Sequence, residues 1–189
     1  LEVIDKIEFC VNGHMMAEKF DEPVLLIKAA WGGHSLYQKF RPPSAGMPTA
    51  EILAAELEKA QAKVKKTNEK RGKNDPLPTM DQIKKVYGIS YRNMMKEVED
   101  TFANYETLFP ELKGKKLELV GFVWFQGHKD SFSEVLIEEY EKHLVNLIND
   151  VRREFKAPKL PAVVATVGFG GHNMQEKFLR ILKAQMAVG

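Results

Sequence analysis

Three near-continuous apolar runs, residues 24–30, 117–125 and 161–167, alternate along the chain with stretches whose apolar positions recur every three or four residues. Runs of this kind suit strands buried on both faces, which belong to parallel sheets covered by helices. Between residues 138 and 155, Tyr140, Leu144, Leu147, Ile148, Val151 and Phe155 fall at helical spacing. Pro158 and Pro161 end that helix and lead into the third run, giving a strand–helix–strand unit. Over residues 91–108, Tyr91, Met94, Met95, Val98, Phe102 and Tyr105 trace a second helical face, with Ser90 as its expected N-cap and Pro110 just beyond its end. The Met94–Met95 pair reads as core filling. Phe178, Leu179, Leu182 and Met186 mark a last helix. The pattern predicts an α/β fold, a three-layer sandwich with a mostly parallel sheet flanked by helices.

Residues 49–71 differ in character, being rich in Ala, Glu and Lys, with Leu53, Leu57, Ala60 and Val64 spaced four, three and four apart. That is a narrow stripe on a mostly polar helix. Acidic Glu51, Glu56 and Glu58 come early and lysines late, as the helix dipole favours, and Gly72 can end it. Asn74-Asp75-Pro76-Leu77-Pro78 is the clearest loop. Residues 42–79 are therefore expected to form a helical insertion within a single domain covering 1–189. It is either a lid or packing arm, or a solvated helix with one packed edge.

Composition narrows the classes. The 189 residues are 44% hydrophobic and 29% charged, the balance of a globular domain large enough to bury a core. A net charge of +2 does not point to nucleic acid. Lys63, Lys65, Lys66, Lys70, Arg71 and Lys73 cluster without interleaved aromatics, so base stacking is not suggested. No apolar run approaches the roughly 18 residues of a membrane span. The one cysteine, Cys10, reads as a small buried hydrophobe. His128, Asp130 and His172 are a weak candidate set for zinc, and no cofactor is expected.

The candidate chemistry lies where apolar runs give way to polar groups. Gln126, Gly127, His128 and Asp130 follow Trp124 and Phe125 at the end of the second run. An α/β sheet presents its ligands at such an edge, where a carboxamide can donate to an oxyanion. Trp31, Gly32, Gly33, His34 and Ser35 follow the first run in the same way, and the glycines let backbone N–H groups approach a substrate. The alternatives are plain: Gln126 tying down neighbouring loops, Gly32-Gly33 a tight turn, Trp31 and Trp124 core aromatics rather than sugar-stacking surfaces, and Asp130 the N-cap of the segment from Ser131. Ser35 beside His34 is a poor nucleophile pair, because adjacent side chains at a strand exit point apart and Tyr37 replaces the second glycine of an elbow. The glycines of Gly168-Phe169-Gly170-Gly171 match no nucleotide-binding loop.

Together the block Trp124, Gln126, Gly127, Asp130 and the turn Gly32-Gly33 resemble the SGNH-type esterases, most closely the branch with a sialate O-acetylesterase (carbohydrate acetylesterase) domain. The likeness extends to Arg41-Pro42-Pro43-Ser44 and the late Gly168-Phe169-Gly170-Gly171. It implies a serine acyl-enzyme acting on acetylated sugars, with Gln126 and Gly32 or Gly33 as oxyanion donors. Trp124, Gly127, Asp130, His128 and Trp31 then stand near the substrate, and the setting is secreted or periplasmic. His128 stands where the family has Glu. The family's Gly-Gln-Ser-Asn nucleophile block is missing, and no Asp lies three residues before any of the five histidines, His14, His34, His128, His143 and His172. The chain is thus expected to be an internal portion of the domain, incomplete at both ends, carrying the oxyanion side without the triad and inactive alone. A noncatalytic carbohydrate-binding or scaffold domain on the same fold is the alternative.

Overall fold

A computed structural model describes residues 15–16, 18–19 and 23–188; Cys10 and His14 lie outside these. The helical stripe centred on Leu144 sets the architecture. It becomes α4 (Glu134–Glu154), once α1 (Ala50–Arg71), α2 (Met80–Val86) and α3 (Ile89–Leu108) have preceded it, and α5 (Glu176–Val188) closes the described chain. Two strands, β1 (Phe122–Trp124) and β2 (Ala162–Val164), flank α4 in sequence and pair in parallel, Phe122 with Ala162, Val123 with Val163 and Trp124 with Val164. The strand–helix–strand unit is present, shorter in its strands than the apolar runs suggested.

The core gathers Tyr140, Leu144, Leu147 and Val151 of α4 with Tyr91, Met94 and Met95 of α3, Trp124 of β1 and Ile181 of α5. Leu144, Leu147 and Ile181 are fully buried, each such side chain contributing roughly 2 kcal/mol of transfer free energy. Phe155 packs against this cluster from its edge. A smaller cluster of Tyr37, Leu53 and Tyr87 attaches α1, with Met80 and Ile83 of α2 against it. Thr49 caps α1 by accepting the Ile52 N–H, and Gly72 ends it in the left-handed conformation.

Several expectations are corrected. Residues 24–30 form no strand, because the sheet among the described residues has two strands and this run joins no ladder; Ala29 simply packs on the core. The α/β class itself holds: the described residues build a mixed α/β fold in which Val123 and Val163 are exposed on the side of the two-stranded sheet away from the core. Ser90 lies inside α3, whose N-cap is Gly88 at φ +69°; an added Cβ there would sit 2.9 Å from the Arg41 carbonyl oxygen. Met186 faces outward, and Ile181, Ala184 and Gln185 take the inner side of α5. The short α2 carries a reciprocal capping box between Thr79 and Gln82, a local signal sufficient to start a helix too short for a period to be read.

Candidate functional site

Parallel pairing brings the carboxyl ends of β1 and β2 to one edge, so the segments after Trp124 and after Val164 emerge side by side. The junction is anchored from below. The Gln126 carbonyl accepts both the Tyr140 hydroxyl at 2.6 Å and the Gln185 amide at 2.8 Å, and the Val167 N–H donates to Gln185 Oε1 at 2.8 Å. Trp124 Nε1 donates to the Tyr140 oxygen at 3.3 Å. Burial, with only partial relief from these donors, pushes the Tyr140 hydroxyl pKa far up, so it stays protonated and able to donate. Gly127 completes the packing: a Cβ would come within 2.7 Å of Val167 Cγ1 and 2.9 Å of Ile181 Cγ2. Gln185 was not singled out from the sequence, although a lone amide on the apolar side of α5, four residues after Ile181, was the available signal.

Above this anchor sits Asp130, wholly buried. Its carboxylate accepts the Leu36 and Tyr37 N–H groups at 2.9 and 3.1 Å and the Gln126 amide at 2.6 Å. Burial raises its pKa, against the pull of the Gln126 amide and of the Tyr37 and Leu36 N–H groups. Its oxygens thus join two loops 94 positions apart in sequence and cap no helix of their own. Gln126 makes the second tie, donating to the His34 carbonyl at 3.1 Å. Both amide hydrogens of Gln126 are therefore engaged within the protein, and its buried Oε1 has no protein partner.

The Gly32-Gly33 turn lies directly before His34. Gly33 adopts φ +73°, both glycines are exposed, and neither N–H donates to a protein group among the described residues. The two exposed glycines directly precede the His34 carbonyl that Gln126 holds. Trp31 is 36% exposed, with its ring parallel to that of His34. Trp124, in contrast, is 4% exposed and stacks edge-on with Phe40; an indole so enclosed has no face left for a sugar, which corrects that expectation.

One contact was invisible in the sequence. His34 Nδ1 and the Ser90 hydroxyl are 2.7 Å apart, across 56 positions. Burial and the nearby Lys39 charge lower the His34 pKa, so its imidazole is neutral at pH 7. Ser90 is 1% exposed and closed to substrate. Ser35 is turned to its own loop, accepting the Gln38 N–H at 3.1 Å, so it forms no pair with His34. His128 is exposed and packs among the rings of Phe132, Phe169 and Phe178. Among the described residues no group of three or more His, Cys, Asp or Glu side chains is placed to hold a metal ion, and no helix is long and apolar enough to cross a membrane.

A mixed α/β unit with glycine turns and a buried carboxylate–amide tie at the carboxyl edge of its sheet is the class of protein defined so far. The family model for carbohydrate esterase, sialic acid-specific acetylesterase, matches residues 79–188, more than half of the chain, and the chain belongs to that family. Neither the curated proteins nor the solved structures give a match.

Proposed function

We propose that this chain forms the oxyanion side of a carbohydrate O-acetylesterase acting on acetyl esters of sugars through a serine acyl-enzyme. In that reaction a serine oxygen adds to the acetyl carbonyl carbon, the carbonyl oxygen becomes an oxyanion, and collapse expels the sugar oxygen, which takes up a proton. Water then releases acetate from the serine. The Gly32 or Gly33 N–H meets the oxyanion, and Gln126, held by Asp130, exchanges its longer bond to the His34 carbonyl for a bond to the same oxygen. Asp130 is a positioning residue, fixing the amide and the loop at residues 36–37 together. Trp31 and His128 border the acyl site, and Gly127 packs beneath it. The nucleophile and base are assigned to none of these residues, since neither motif occurs in the sequence.

The observation that supports this reading most is the Asp130 carboxylate, which joins the Gln126 segment to Leu36 and Tyr37, in the loop that follows the glycine turn, in a chain of the carbohydrate esterase family. The same reading places β1 and β2 within a larger three-layer sheet, with Val123 and Val163 facing the second layer, in one domain that carries residues 42–79 as an insertion. The chain alone is expected to release no acetate from acetylated monosaccharides above background; a rate that vanished in Gln126→Ala would contradict the assignment of the triad elsewhere. In a polypeptide that also supplies a serine block and an Asp-x-x-His, Gln126→Ala is expected to lower kcat about a hundredfold.

One observation favours a second reading, a noncatalytic carbohydrate-binding or scaffold domain: both Gln126 hydrogens are already satisfied inside the protein. Glycan binding unaffected by an esterase inhibitor would favour it.

A further inference from the structure

Helix α1 distributes its charge by face. At about 3.6 residues per turn, Lys59, Lys63, Lys66 and Lys70, spaced four, three and four apart, share one side of the helix. All four are exposed, and the row runs for about 16 Å along the axis. The packed side lies elsewhere. There Leu53 enters the small core cluster, Gln61 donates to the Pro78 carbonyl at 3.0 Å, and Asn68 exchanges bonds with the Asp75 backbone at 2.9 and 3.1 Å. Those bonds brace the outer half of α1 on the loop that follows it and leave the lysine side open. Glu51, Glu58 and Glu69, spaced seven and eleven apart, form a third side.

Helix stability does not explain this row. Lys59 with Lys63, and Lys66 with Lys70, are like charges one turn apart, an arrangement that destabilises a helix. The dipole favours cations only in the last turn, which holds Lys70 and Arg71. None of the four ammonium groups has an ion-pair partner among the described residues. Glu56, one turn before Lys59, instead accepts the Gln38 amide at 3.4 Å. Residues 59–73 hold seven lysines and arginines against one glutamate, in a chain of net charge +2. The remainder is therefore net acidic, and the molecule is electrically polarised towards the end of α1.

We propose that this row of lysines docks the protein on the surface of a bilayer rich in anionic phospholipid, with α1 lying along the membrane plane. The charges follow one another at about 5–6 Å along the axis, within a Debye length, so they meet a plane of phosphate groups together. The same side of α1 continues into apolar groups. Ile52, seven residues before Lys59, is 38% exposed there, and the exposed Ala55 and Ala62 flank the row with side chains small enough for close approach to the headgroups. An isoleucine in line with the cations suits the boundary between headgroups and acyl chains, where lysine stems lie along apolar surface and their charges stay in the headgroup layer. A nucleic acid finds no aromatic side chain on this side for its bases. The docking is peripheral, since no helix among the described residues is long and apolar enough to cross a membrane. It does not depend on the acyl chemistry proposed above.

Co-sedimentation of the chain with vesicles of phosphatidylcholine alone, and of phosphatidylcholine mixed with phosphatidylglycerol, tests this at low and at high salt. Binding to the mixed vesicles that salt weakens, with little binding to the neutral ones, is the expected result. Lys59→Gln, Lys63→Gln, Lys66→Gln and Lys70→Gln are each expected to weaken it about fivefold, and the quadruple variant by about a hundredfold or more. A second quadruple variant, Lys96→Gln, Lys113→Gln, Lys142→Gln and Lys159→Gln, makes the same change in net charge outside α1 and is expected to keep most of the binding. All eight lysines are exposed, and circular dichroism is expected to show a helix content at least as high once the like-charge row is removed. Equal binding to both kinds of vesicle, no binding to the anionic ones, or an equal loss in the two quadruple variants overturns the docking surface. So does a preference for duplex DNA over the anionic vesicles in competition, which assigns the row to a nucleic acid.

Discussion

Asp130 holds two loops of the candidate site together, because three donors from them converge on one buried carboxylate. Asp130→Asn places an NH2 group against at least one of those donors and removes the charge that strengthens the others. The expected cost is about 3 kcal/mol of stability by urea unfolding. A loss below about 1 kcal/mol would show the carboxylate to be dispensable. Gly127→Ala tests the layer beneath. The new methyl group meets Val167 and Ile181, and overpacking of this kind costs about 1–3 kcal/mol. The sequence marked the segment from Gln126 to Asp130 as polar groups ending an apolar run, and left open whether Gln126 ties neighbouring loops, which is what its bonds to His34 and Asp130 do. The environment of Trp124 was not legible, because alternation along a three-residue strand gives no sign of which face the core occupies. The His34–Ser90 contact was equally hidden, as it depends on tertiary placement across 56 positions.

At the scale of elements, the long helices were legible because their apolar periods run for several turns. The strands were not bounded correctly, since an apolar run states only that a segment is buried, and a ladder needs a partner in register. In α4 the periodic face includes one residue the pattern did not use, His143, 1% exposed and four residues after Glu139. Burial, helped by the charges of Arg41 and Lys142, lowers its pKa to about 4. The unfolded chain binds this proton near the ordinary value of 6.5, so between about pH 6.5 and 4 the unfolded state holds more protons than the native one. The stability that His143 contributes is present above pH 6.5 and is lost as pH falls through this window, by about 3 kcal/mol in all. Comparing the pH dependence of unfolding for the wild type and His143→Phe isolates this slope; identical profiles would place the imidazole in contact with water. Helix α1 is held chiefly by Leu53 at the small cluster, so Thr49→Ala is expected to remove about 1 kcal/mol locally. Hydrogen exchange should quicken in the first turns of α1 while α4 is unaffected.

For the molecule as a whole, the two-stranded sheet has one exposed side. Val123 is 61% exposed and Val163 59%, whereas their neighbours on the other side pack on the helices. Val163→Thr is accordingly expected to change stability by less than about 0.5 kcal/mol, and Val164→Thr to cost about 1 kcal/mol. Equal costs would mean that the outer face is covered in solution. The family was legible from the block Trp124, Gln126, Gly127 and Asp130, which lies within the matched residues 79–188. The chemistry of the whole site was not, because a serine block and a base three residues after an Asp leave no substitute pattern when they are missing from the sequence. The account turns on Gly32, Gly33 and Gln126 receiving the acyl oxygen of an acetylated sugar. The most direct measurement is a 15N–1H titration of the chain with an acetylated monosaccharide and with the same sugar deacetylated, following the two glycine amides and the Gln126 side-chain amide. Saturable shifts of these signals with the acetylated sugar alone are the expected result; no shift, or the same shift with the deacetylated sugar, would contradict the placement of the oxyanion side at this edge of the sheet.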